Sequence, residues 1–289
     1  MGFGPLTVNS SAVRLVNTLA NTADGADSSH PPVILKEIQM DLSLLTYLIL
    51  VGIAFFAGLI SSVAGSGGLL TLPALLWVGL PPLTAVGTYK IQSSVGALSS
   101  TWNFFRSGHL EIKTLVMPVI MAMIGSILGT LTVQTLDGAI LRKLIPFLLL
   151  GIAIFFLLSP KVKDTDSRPL ITINLFAGTA ALGVGFYGGF FGPGIGSIMP
   201  FLFVWLLGYN LVKATADTKL MSLAINGISA VLFTINGLVL WEIAVPMAVG
   251  QIIGARLGSN LVMSQGTSLV QPIITVVTLV VALKLLFFP

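Results

Sequence analysis

The chain contains no cysteine. Disulfides, thiolate metal sites and cysteine nucleophiles are therefore excluded. Histidine occurs only at His30 and His109, and no HExxH spacing is present. Charge is scarce: 8% of the 289 residues are Asp, Glu, Lys or Arg, against about 25% in a soluble domain. So few charges cannot cover a water-facing surface. The net charge of +4 comes without a Lys/Arg cluster interleaved with aromatics, which excludes a nucleic-acid patch. Alternating segments of about ten residues are missing too, which excludes a transmembrane barrel. GPGIG at 192–196 lacks the GxGxxG spacing and strand context of a dinucleotide turn.

What is there is apolar. Hydrophobic residues make up 55% of the chain, and the mean hydropathy is +1.01. Uncharged runs fill Leu42–Tyr89, Thr114–Leu136, Leu144–Pro160, Pro169–Val212, Leu220–Trp241, Ile243–Ala255 and Leu257–Leu283. A spanning helix needs roughly 20 apolar residues, so these runs hold about eight spans. Residues 1–40 are polar and carry no signal-peptide h-region; they are expected to form a disordered N-terminal extension.

Two stretches interrupt the runs with glycine and proline. GLISSVAGSGGLLTLPALLWVG occupies 58–79, and GVGFYGGFFGPGIGSIMPFLFVWLLG occupies 183–208. Each is a Gly-rich break, then a proline, then a short apolar piece. AVGTYK at 85–90 matches ATADTK at 214–219, Gly108 matches Gly237, and GSILG at 125–129 matches GARLG at 254–258. Four motifs recur in one order at an offset of about 129 residues, the mark of a duplication. The first repeat is read as 41–160 and the second as 161–289.

Leu69–Leu80 extends only about 18 Å as a helix, and Gly196–Leu207 is equally short. Neither covers a bilayer core of about 30 Å. Broken backbone at membrane depth is tolerated only inside protein or along a cavity. Matching broken helices in two halves point to a transporter binding site. Ala64–Gly68 and Gly192–Ser197 read as two facing half-helix N-termini, which present N–H groups and a positive dipole end to an anion. Ser66, Gly67, Gly68, Gly194, Gly196 and Ser197 are the candidate ligands there. GSILG and GARLG read instead as close-packing motifs between helices.

Lys90 and Lys219 are matched residues inside spans, where lysine is expensive. On the same helix face, Lys90 is followed by Ser93, Ala97 and Ser100, and Lys219 by Ser222, Asn226 and Ser229. The stripes read as cavity walls, with Lys90, Ser93, Lys219, Ser222 and Asn226 as substrate ligands. The competing reading is that each lysine snorkels to the interface. Gln92, Trp102, Asn103 and Arg106 read as interfacial anchors.

These motifs, the duplicated break and the span pattern together resemble the TauE/SafE sulfite exporter family of membrane permeases, over about residues 42–288. The resemblance implies transport of sulfite or organosulfonates across the prokaryotic cytoplasmic membrane, most simply as export. The expected architecture is an all-α polytopic membrane protein with two pseudo-symmetric halves, each with a broken or re-entrant half-helix. A secondary transporter without enzymatic activity, cofactor or metal is expected, with a small anion and the lipid bilayer as partners and self-association left open. An anion channel and a membrane scaffold are the rival readings. If the short segments are re-entrant, Arg106, Lys113, Lys161, Lys163 and Arg168 share one side, Arg142, Lys143 and Lys213 share the other, and both termini are cytoplasmic. If the short segments cross, the halves are inverted.

Overall fold

The computed structural model describes residues 43–65, 67–158 and 166–265. The N-terminal extension and the last expected span, Ser268–Phe288, lie outside the described residues. Nine helices are described: α1 (Leu44–Ala64), α2 (Gly68–Trp77), α3 (Pro82–Arg106), α4 (Ile112–Gln134), α5 (Gly138–Leu158), α6 (Ile173–Phe190), α7 (Ile195–Leu207), α8 (Leu211–Ile235) and α9 (Trp241–Gln265). α6 includes one π turn at Ala177–Ala181. By length and composition α1, α4, α6 and α8 are able to cross a membrane. α3, α5 and α9 have 25, 21 and 25 residues, long enough to span, and of these only α3 and α9 are more polar. α2 and α7 are short apolar helices of 10 and 13 residues.

Local chemistry sets these ends. Ser43 caps α1 by accepting from the Thr46 N–H, and Asn210 caps α8 by accepting from the Lys213 N–H. α3 opens on Pro82, which has no N–H to leave unpaired. α1 stops at Gly65, whose φ of 72° is left-handed and whose N–H bonds back to Ile60 and Ser61. Gly194, with φ 91°, opens α7. Ile112, Val116, Ile120, Ile124, Leu128 and Leu131 of α4 form one exposed apolar stripe, the face a membrane helix turns to lipid.

Side-chain-free surfaces bring the long helices together. Gly250, Gly254 and Gly258 of α9 lie on the backbone of Val51, Phe55 and Leu59 of α1. Gly125 and Gly129 of α4 lie on Leu182 and Phe186 of α6. GSILG and GARLG thus do act as packing motifs, letting backbones approach closely. The ascending order of contacts makes α1 and α9 parallel, and likewise α4 and α6. Gln92, Ser100 and Asn103 of α3 reach Gln251, Ala255 and Ser259 of α9, so α3 is parallel to both α9 and α1. Ser126 and Thr130 of α4 reach Ile225 and Ser229, which aligns α8 with α4 and α6. α3 and α8 are antiparallel, with Gly87 beside Phe233 and Lys90 bonded to Asn226.

Parallel α1 and α3 leave one path for the chain between them. The break and α2 must carry it back to the end where α1 began. A re-entrant loop would instead make α1 and α3 antiparallel. The same holds for α6, α7 and α8. The short segments therefore traverse the bundle, and the re-entrant alternative is corrected. Lys213 moves with this correction. It pairs with Glu111 at 3.7 Å, and its neighbour Asn210 bonds to Asp166. Lys213 thus shares an end with Arg106, Lys113 and Arg168, opposite Arg142 and Lys143. Sequence counting had placed it on the wrong side.

Candidate functional site

A small cavity opens at mid-length of α3 and α8, where the two breaks meet. Gly65 and Gly196 touch backbone to backbone: a Cβ on Gly196 would lie 2.5 Å from the Gly65 Cα. Only residues without side chains allow two broken helices to meet this closely. Gly68 in the first turn of α2 and Ile195 and Gly196 in the first turn of α7 line the cavity. First-turn N–H groups have no partner four residues back, so both short helices bring their positive ends to it.

The lysines are placed in matching ways. Lys90 is fully buried and donates from Nζ to the Gly188 carbonyl and, at 3.3 Å, to Asn226 Oδ1. Lys219 is 4% exposed and donates to the Ser61 carbonyl at 2.7 Å. Each lysine thus neutralises the carbonyl end of the helix that precedes the other half's break. Among the described residues neither meets a carboxylate, so the centre holds two buried lysine amines whose partners are backbone carbonyls and the Asn226 amide. Both point inward, which overturns the snorkelling alternative.

The structure brings Gly68, Ser93, Gly196, Lys219, Ser222 and Asn226 onto the cavity wall. Lys90 stands one layer behind Gly192, reaching the edge through Asn226. Gly67 packs instead on the Ala57 carbonyl, and Gly194 faces Ile152. Ser197 caps no part of the lining. Ser66 lies outside the described residues. Sequence reading missed Tyr89, Ser61, Ser62 and Gln251, all on the wall. Gln251 had a signal, being an amide alone in the uncharged run Ile243–Ala255. Gln92 is no interfacial anchor: it is buried, and its Nε2 donates to Gln251 Oε1 at 2.8 Å. Asn103 is likewise buried against Ser259. Among the described residues no three His, Cys, Asp or Glu side chains gather in a way that could hold a metal ion.

The model of the family described as "Sulfite exporter TauE/SafE" matches residues 50–285. The chain belongs to the TauE/SafE family. It is 40% identical over 248 residues to a "Probable membrane transporter protein" of Haemophilus influenzae, covering 86% of this chain and 97% of that one. It is 41% identical over 243 residues to the "Probable membrane transporter protein YfcA" of Escherichia coli K12, covering 83% and 90%. A Sinorhizobium protein, "Probable membrane transporter protein ORF9", is 39% identical over 236 residues, covering 82% of this chain and 90% of its own. No solved structure matches the chain. As a TauE/SafE member with these helices, the protein is a multi-pass membrane transporter. For such a transporter the central cavity, between two breaks and two buried lysines, is the candidate substrate site.

Proposed function

We propose that this transporter exports small sulfur oxyanions, sulfite or organosulfonates, across the cell membrane by alternating access about the central cavity. One observation carries the reading: Lys219 on the wall, Lys90 one layer behind it and two half-helix N-termini gather at one cavity, and among the described residues neither lysine bonds a carboxylate. A sulfonate or sulfite presents three acceptor oxygens, enough for donors from both halves. Residues 41–160 and 161–289 are duplicated copies in opposite orientation. The paired packing supports this: Lys90 holds Gly188 as Lys219 holds Ser61, and Gly125 meets α6 as Gly254 meets α1. The end bearing Arg106, Lys113, Arg168 and Lys213 faces the cytoplasm by its excess of cations.

The test is thermal stabilisation of the purified protein by sulfite, sulfate, sulfoacetate, taurine, phosphonoacetate and acetate. A ligand at 100 times its Kd adds about 2.7 kcal/mol. Sulfite or a sulfonate should stabilise the wild type, and Lys90→Met and Lys219→Met should lose the response. Methionine fills the same space, so neither variant should unfold the bundle. If no sulfur anion shifts the wild type, the substrate class is wrong. If both variants respond as the wild type does, the lysines are not ligands.

A further inference from the structure

Asp217 is the residue the transport reading leaves unused. It lies in α8, 0% exposed, two residues before Lys219. Among the described residues neither carboxyl oxygen has a hydrogen-bond partner. Ala214 and Met221, one turn to either side on the same face, belong to an apolar cluster with Leu110 and Leu115. Its counterpart in the first half is Thr88, whose Oγ1 accepts from the Leu240 N–H at 3.1 Å. The second half therefore carries an acid, unbonded, where the first carries a bonded hydroxyl.

Among the described residues the groups facing it are few. Lys213, one turn earlier on α8, and Glu111, in the α3–α4 connection, act on it electrostatically from opposite signs. Lys213 is engaged elsewhere, with Glu111 at 3.7 Å and over the Tyr209 ring at 4.5 Å. Tyr209, in the α7–α8 turn, senses both Asp217 and Glu111. Lys90 of α3 and Lys219 of α8 are held at the Gly188 and Ser61 carbonyls. Lys113 of α4 and Arg106 of α3 are exposed, as is His109 in their connection, while α7 carries no charged residue. α6 offers only Tyr187, bonded to the Pro193 carbonyl.

An ionised carboxylate without a partner in apolar surroundings costs several kcal/mol, which protonation removes. The geometry points to Asp217 as a proton-binding site of the transport cycle, resting on the transport reading above. In this conformation the carboxyl holds its proton. When α8 shifts and opens the site toward the Lys213 end, the O–H bond breaks and the proton passes to water. The carboxylate left behind pairs with Lys213, released from Glu111. Because α8 also carries Lys219, Ser222 and Asn226, the charge on Asp217 and the occupancy of the cavity are set by movement of one helix.

Two readouts test this. Infrared spectra of the wild type at neutral pH should show a protonated carboxyl band that Asp217→Asn lacks; Asp217→Thr, the residue of the matching position, is the second variant should the first misfold. In vesicles, a gradient of one pH unit should change the steady-state ratio of an organosulfonate, which stays ionised near neutral pH and carries no proton of its own, about tenfold per proton moved in the wild type, and that of Asp217→Asn not at all. If the sulfonate moves in the wild type without responding to the gradient, the proton site is refuted and the substrate reading stands. If no anion moves, the substrate reading fails and the infrared band decides Asp217: its absence refutes the proposal, its presence and loss in both variants supports it.

Discussion

The contact between Gly65 and Gly196 should be the least replaceable spot in the bundle. Gly65 has φ 72°, a left-handed conformation costing an L-residue about 1–2 kcal/mol. A Cβ there would overlap the Gly196 carbonyl, and overpacking adds about 1–3 kcal/mol. Gly65→Ala should therefore destabilise by about 2–5 kcal/mol. Gly196→Ala suffers the overlap without the backbone strain, since Gly196 is absent from the positive-φ glycines, and should lose about 1–3 kcal/mol. Gly227→Ala is the control. It lies inside α8 with nothing within 4 Å of an added Cβ, so it should gain about 1 kcal/mol of helix propensity. Unfolding midpoints of the three variants in one detergent should rank Gly227→Ala above wild type, then Gly196→Ala, then Gly65→Ala. Were Gly65→Ala as stable as Gly227→Ala, the two breaks would not touch as described, and the cavity between them would lose its frame.

Two further predictions concern the frame itself. The chain has no cysteine, so single cysteines report accessibility directly: Gly108→Cys and Tyr209→Cys should label from one side of intact vesicles, Asp137→Cys and Asn236→Cys from the other, and labelling of positions 108 and 209 from opposite sides would restore the re-entrant path. Gly254→Val should destabilise by about 1–3 kcal/mol, because its Cβ would overlap the Phe55 carbonyl; a smaller change than for Gly151→Val, where the space is open, would mean α1 and α9 do not pack as closely as described.

The breaks were legible in sequence for a physical reason. Glycine and proline are costly in a helix, so a run that accumulates them inside an apolar stretch must gain something at that depth. The matched lysines were legible in the same way, since ammonium groups inside spans are expensive. Their partners were not. Lys90 and Lys219 bond backbone carbonyls at Gly188 and Ser61, and a carbonyl leaves no mark on residue identity. The direction of the short segments was hidden too. Counting cations assigned Lys213 by its place in the chain, whereas its side is fixed by contacts with Glu111 and Tyr209, which belong to tertiary packing. Tyr89 carried no mark either, since an aromatic in an apolar span is ordinary core; its ring rests against Gly68 and Gly192, where a Cβ would crowd it.

The halves share a backbone device but not its side chains. Gly65 and Gly192 both line the cavity, each just past the helix that ends at a break. The amides are unshared. Asn226 aligns with Ala97, Gln92 with Met221 and Gln251 with Ala122. Gln92 donates to Gln251 while its own Oε1 finds no partner among the described residues, and Asn226 accepts from Lys90 while its Nδ2 is tied to Ser222. An anion held between the two half-helix N-termini would thus meet equivalent backbone donors from both sides and inequivalent amides around them. Equivalent donors suit a substrate core that must be gripped in both orientations of an alternating-access cycle. Inequivalent amides fix which way the rest of the substrate points, so a substrate with a tail should depend on Asn226 and Gln251 more steeply than sulfite, which has none.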